Sequence, residues 1–168
     1  VYRLIAVLLA LAACAPTVPP VSVGRYRSPD APMYSNAVLD PSRLVGSWVQ
    51  VADFAAKSGA CVPGGVEITR AAKGLAVAYQ LCLSGNLVQG AGAMQPDGPG
   101  RFVVPGQPGP WWVLWADADY RTLVIGTPNG RLGFILNRDG ALPPDRLVAA
   151  REILDWNGYD LRRLQMLR

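Results

Sequence analysis

Three cysteines and no histidine frame the chemistry open to this 168-residue chain. A thiol attacks or ligates as thiolate, usually with a base beside it, and imidazole is both the commonest such base and a standard haem or zinc ligand. With no histidine, that chemistry has few residues to run on, and no catalytic residue, cofactor or metal site is expected. Cys61 and Cys82 have another use. A hairpin turning at Ala71-Ala72 sets Thr69 opposite Gly74 and Cys61 opposite Cys82, a cross-strand position for a disulfide. Closing a loop of this length stabilises by about 3 kcal/mol in the chain-entropy account. Two free buried thiols are the alternative.

The third cysteine belongs to the N-terminus. Arg3, an apolar run from Leu4 to Leu11 and then Leu11-Ala12-Ala13-Cys14 have the order of an export signal, and the run is too short to span a bilayer as a permanent helix. A cysteine directly after Leu-Ala-Ala resembles the lipobox of bacterial lipoproteins, which implies that Cys14 is acylated with chains such as palmitate and becomes the first mature residue. One chain anchors marginally and several anchor firmly, at about 0.8 kcal/mol per buried methylene. Ala15, where an aspartate would mark inner-membrane retention, points to the outer membrane and its periplasmic face. An ordinary secretory signal with a chance cysteine is the alternative. The expected division is a signal peptide at 1–13, a flexible proline-rich tether at 14–38 and a folded domain at 39–168. Five prolines and few large apolar side chains between Ala15 and Asn36 support the tether.

Composition fits one core: 51% of residues are hydrophobic and 17% charged. The net charge of +4 falls by one when Arg3 leaves with the signal, and the arginines are spread without a run. That excess mildly favours an anionic membrane surface and argues against nucleic acid.

The pattern between these features is of strands. Glycine and proline punctuate apolar runs at about 47–55, 62–70, 74–83, 86–95, 101–104, 111–117, 121–127 and 131–138. Short connections suit an up-and-down meander, which closure relieves of its edges, although periodicity alone also allows a sandwich. Asn129-Gly130 is the preferred type I′ pair and would set Ile125 opposite Phe134, Leu123 opposite Leu136 and Arg121 opposite Arg138. Pro143-Pro144-Asp145 opens a helix running to about Asn157, with Leu147, Ala150 and Leu154 on one stripe and Gly158 as its stop. A last strand at about 160–166 adds to the sheet's outer edge or covers one end.

Three segments share a common likeness: Gly46-Ser47-Trp48, continuing through Val49-Gln50-Val51-Ala52-Asp53-Phe54; Asp117-Ala118-Asp119-Tyr120, continuing to Thr127-Pro128; and Phe134-Ile135-Leu136-Asn137-Arg138-Asp139, followed by the helix. In these motifs and their order, residues 39–168 resemble the lipocalin family, in particular its bacterial outer-membrane lipoproteins and their apolipoprotein-D-like and plant temperature-induced relatives. Val49 and Gln50 stand where the family often has tyrosine and an acidic residue, and the fifth strand is short. The resemblance implies an all-β fold: an eight-stranded antiparallel up-and-down barrel with one C-terminal helix packed outside. It further implies that Gly46, Trp48, Asp117, Tyr120 and Arg138 form the closed base, with Arg138 over the Trp48 indole.

Strand parity then nominates cavity-lining residues. From Trp48 the inward set is Gln50, Ala52 and Phe54, and in the third strand Val77, Tyr79 and Leu81 share a face; Phe134 joins them. For Trp111-Trp112-Val113-Leu114-Trp115 the resemblance puts Trp111, Val113 and Trp115 inside, whereas a two-residue turn at Ala118-Asp119 puts Trp112 and Leu114 on the Arg138 face; a single bulge reverses parity. The function implied is storage or transport of a small hydrophobic ligand, a fatty acid or lysophospholipid, by a periplasm-facing outer-membrane lipoprotein. A packed structural or partner-binding barrel is one alternative. A cysteine enzyme is another, because some lipocalins, prostaglandin D synthase among them, use a thiol inside the cup; Cys61 is the comparable residue here, and a bond to Cys82 would disarm it.

Overall fold

Inward and outward side chains alternate along the strands, as a sheet with one apolar face requires. The computed structural model describes residues 24–56 and 61–167; the expected signal peptide and Cys14 lie outside the described residues. Nine strands follow in order: β1 (Gly46–Phe54), β2 (Gly65–Arg70), β3 (Leu75–Leu83), β4 (Asn86–Pro96), β5 (Arg101–Val103), β6 (Trp111–Ala116), β7 (Thr122–Gly126), β8 (Gly133–Asn137) and β9 (Leu164–Met166). Helix α1 (Pro144–Trp156) stands between β8 and β9. In β3, Leu75, Val77, Tyr79 and Leu81 are buried while Ala78 and Gln80 are exposed.

Each strand from β1 to β8 pairs antiparallel with the next, and β1 also pairs with β8, closing an eight-stranded up-and-down barrel. β2 accompanies β1 only from Gly46 to Val49. Beyond that point β9 pairs along Ala52–Phe54, on the edge of β1 that β2 has left. The late strand therefore joins the sheet's outer edge and is not what closes the base.

Two hairpins test the expected registers. β7 and β8 pair Ile125 with Phe134 and Leu123 with Leu136 as expected. Their turn is not type I′, which needs both central residues at positive φ: Gly130 is at 67°, whereas Asn129 is not among the positive-φ residues. Gly130 N–H instead donates to Thr127 O, and Asn129 Oδ1 accepts from the Thr127 hydroxyl. The β2–β3 register is shifted by two residues. Thr69 faces Ala76, not Gly74, because the turn takes in Ala71 through Gly74, with Ala71 N–H donating to Gly74 O. Cys61 consequently precedes β2 in an irregular segment. It is nonetheless bonded to Cys82, at a Cα separation of 5.9 Å.

A second apolar layer lies outside the barrel. Ala150 and Leu154 of α1, with Tyr26 and Tyr159, cover Val51, Ala52, Phe54, Leu114, Val124 and Ile135. This explains why β7 and β8 are buried on both faces. It also revises the expected tether, whose described part is packed: the Tyr26 amide donates to Gly130 O, Ser28 N–H to Gly158 O and Asn36 N–H to Val113 O.

Candidate functional site

One end of the barrel is shut by a plug built from the first and third motifs. The Arg138 guanidinium lies 3.6 Å from the centroid of the Trp48 ring and donates to the carbonyls of Arg43, Val45, Ser47 and Tyr120. Trp48 Nε1–H donates to Leu44 O at 2.7 Å. Gly46 is at φ 110°, and a Cβ there would stand 2.9 Å from Arg138 Nη1, so only glycine both turns the chain and admits the arginine. The Tyr120 hydroxyl accepts from Asp40 N–H, and its ring carries the Arg43 guanidinium at 4.1 Å. Asp117 works beside the plug rather than in it, accepting from the amides of Arg121 and Thr122 to shape the β6–β7 turn.

Above the plug, the interior is apolar and filled by its own side chains. Gln50, Val77, Tyr79, Trp111, Val113 and Phe134, all nominated from sequence, face inward together. Trp111 is central to them, with ring centroids 5.6 Å from Tyr79 and 5.1 Å from Phe134. The Tyr79 hydroxyl donates to Pro105 O and accepts from Gln107, whose carbonyl faces Trp111 Nε1 at 3.4 Å, so the β5–β6 loop is tied to this cluster.

Ala52, Phe54 and Trp115 do not belong to the interior. A bulge between Gln50 and Ala52 reverses parity along β1, and another between Val113 and Trp115 does the same along β6. Ala52 and Phe54 are therefore buried in the outer layer, where Trp115 also packs. Leu114 lies in the outer layer with Trp112, by ordinary alternation, while Trp111 and Val113 stay inside.

The bulge in β1 also brings in a residue that parity counting passed over. Asp53 stands opposite the inward Phe134 and is 1% exposed. Its Oδ2 accepts from Gly85 N–H at 3.2 Å, and its Oδ1 has no hydrogen-bond partner among the described residues. Burial pushes the carboxyl up to about 7, against the pull of the Gly85, Ser84 and Phe54 amides. Gln50, nearby, is satisfied at both ends: its amide donates to Cys82 O and its carbonyl accepts from Cys82 N–H. The β3–β4 turn leans over this end, with Ser84 Oγ donating to Arg131 O across the opening. No group of three or more cysteine, aspartate or glutamate side chains is placed to hold a metal among the described residues. A separate groove of about 750 Å³, lined by Ser47, Glu67, Ala78, Gln80, Gln89 and Ala91, runs along the outer faces of β1 to β4.

Residues 99–168 match the family model described as a lipocalin-like domain. No curated protein matches the chain. Among solved structures, the cockroach allergen Per a 4 aligns with a TM-score of 0.61 at 12% identity, over 83% of this chain and 95% of its own. Insecticyanin from the tobacco hornworm Manduca sexta aligns at 0.60 and 18% identity, over 86% and 89%. The siderocalin Ex-FABP, described as functioning through dual ligand specificities, aligns at 0.54 and 16% identity, over 74% and 93%. At these identities the likeness is one of fold.

Proposed function

We propose that this lipocalin barrel binds a small hydrophobic ligand, a fatty acid, lysophospholipid or similar amphiphile, with its chain in the interior and its head at the end opposite the plug. The observation that carries the reading is a closed wall around an apolar interior. One end of it is sealed by Trp48 and Arg138, and the other is covered by a turn that two 3.2 Å hydrogen bonds hold. Burial of apolar area, at about 25 cal/mol per Å² before the cost of association, is the driving force. The lipocalin-like match and the Ex-FABP likeness support it as a binding protein rather than an enzyme. With Cys61 bonded to Cys82, a cysteine mechanism also lacks its thiolate.

The cellular setting belongs to the same proposal. A chain acylated at Cys14 would sit at the outer membrane, facing the periplasm, like the bacterial lipoprotein lipocalins that its motifs resemble. Mass spectrometry of the mature N-terminus tests this: an acylated Cys14 is expected, and an unmodified residue there refutes the anchor. For the ligand, solvent extraction of the purified protein should release an amphiphile in near-stoichiometric amount. An empty extract, together with no tryptophan quenching by fatty acids or lysophospholipids, would defeat the binding reading.

A second reading is favoured by the burial of Trp111, Val113 and Phe134 at 2% exposure or less: the interior is a packed core and the barrel a scaffold for an envelope partner.

A further inference from the structure

Asp53 is the one carboxylate that faces the barrel interior among the described residues, and it holds an unmade hydrogen bond there. Its cross-strand neighbours are Phe134 on β8 and Gln165 on β9, and the turn above brings Ser84 and Gly85; none of these is a cation. Gln50 shares this end of the barrel, with its amide nitrogen and its carbonyl each already bonded to the Cys82 backbone. The turn that covers Asp53 is joined across the opening by Ser84 to Arg131 O and by Gly85 to Asp53 itself. Displacing that turn would free both carboxyl oxygens toward the opening. The apolar cluster of Tyr79, Trp111 and Phe134 shares this interior with Asp53, which faces Phe134 across the β1–β8 pairing.

We infer that Asp53 is the head-group anchor of the barrel's ligand and that it selects an amphiphile ending in a hydrogen-bond-donating amine over one ending in a carboxylate. This rests on the ligand-binding reading above and narrows it to one chemical class. An ammonium brings N–H donors to an oxygen that has none among the described residues, together with the opposite charge. A fatty carboxylate brings a like charge and no donor, and an alcohol brings a donor without charge.

The test compares dodecylamine, dodecanol and dodecanoate on the wild-type protein and on Asp53→Asn. Binding is read by tryptophan fluorescence and confirmed by native mass spectrometry. At about pH 8 the amine should bind the wild type roughly ten- to a hundredfold more tightly than dodecanoate. Asp53→Asn should erase that preference while dodecanol affinity holds within about threefold. The variant's melting temperature, at or above that of the wild type, shows that it is folded. The inference is overturned if dodecanoate binds the wild type as tightly as dodecylamine, or if Asp53→Asn keeps the amine's advantage. Equal binding of all three compounds to both proteins removes the anchor and leaves ligand binding standing, whereas no binding of any compound removes both.

Discussion

Asp53 ties stability to pH, and the sign follows from where its proton sits. The unfolded carboxyl titrates near 3.8 and the folded one near 7, so between these values the folded chain keeps a proton that the unfolded chain has released. Raising the pH through this window therefore lowers stability; the penalty is absent below the unfolded value and complete above the folded one. Asp53→Asn should remove it, melting above the wild type at pH 8 by an amount worth on the order of 3–4 kcal/mol, with the two converging near pH 4. Thermal melts across that range check this, and parallel curves would absolve the carboxyl. At the plug, Arg138→Ala leaves four carbonyls without their donor and uncovers Trp48, for an expected loss of about 2–4 kcal/mol in urea denaturation. Arg138→Lys should recover only part of it, since a single ammonium cannot span carbonyls that a planar fork reaches together. The plug was legible in the sequence because glycine, tryptophan and arginine each have few reasons to occupy such positions. Asp53 was not, because its burial depends on a neighbour's backbone and not on its own type.

Elements with strong local signals were the ones read correctly. Asn129-Gly130 fixed the β7–β8 register even though the turn differs in type, because both turns leave the flanking residues in the same pairing. The β2–β3 turn has no comparable signal in Ala71-Ala72, and the register moved by two residues without disturbing which side chains face inward. Bulges are harder: Val51 and Leu114 are ordinary strand residues, yet each shifts every later side chain on its strand to the opposite face. Three of the nominated cavity residues were lost in that way. The disulfide was found through a register that the structure does not adopt, since a cysteine in the irregular segment before β2 reaches Cys82 as readily as one in a strand. Replacing both Cys61 and Cys82 with alanine should cost about 3 kcal/mol of stability and leave the far-ultraviolet circular dichroism unchanged. A far larger loss, or a changed spectrum, would mean that the bond sets the fold of β3 as well as bracing it.

At the scale of the molecule, the two cores separate the two readings of function. Trp111 belongs to the interior and Trp115 to the layer beneath α1. If the interior is a permanent core, Trp111→Ala should lose about 3–5 kcal/mol of stability and have no ligand to affect. If the interior opens to an amphiphile, the same change should alter affinity more than stability, while Trp115→Ala leaves affinity alone; titration and denaturation of the same two variants decide between them. The way the barrel is finished has a consequence of its own. Where β2 departs, the upper half of β1 would present a row of bare amides and carbonyls, an invitation for another chain to pair and propagate. β9 occupies that row with three residues, directly after Arg162 and Arg163. So short a strand, next to two like charges, offers little to a newcomer on its own far side. Removing it would leave the barrel's interior untouched and make the protein prone to aggregate through its wall.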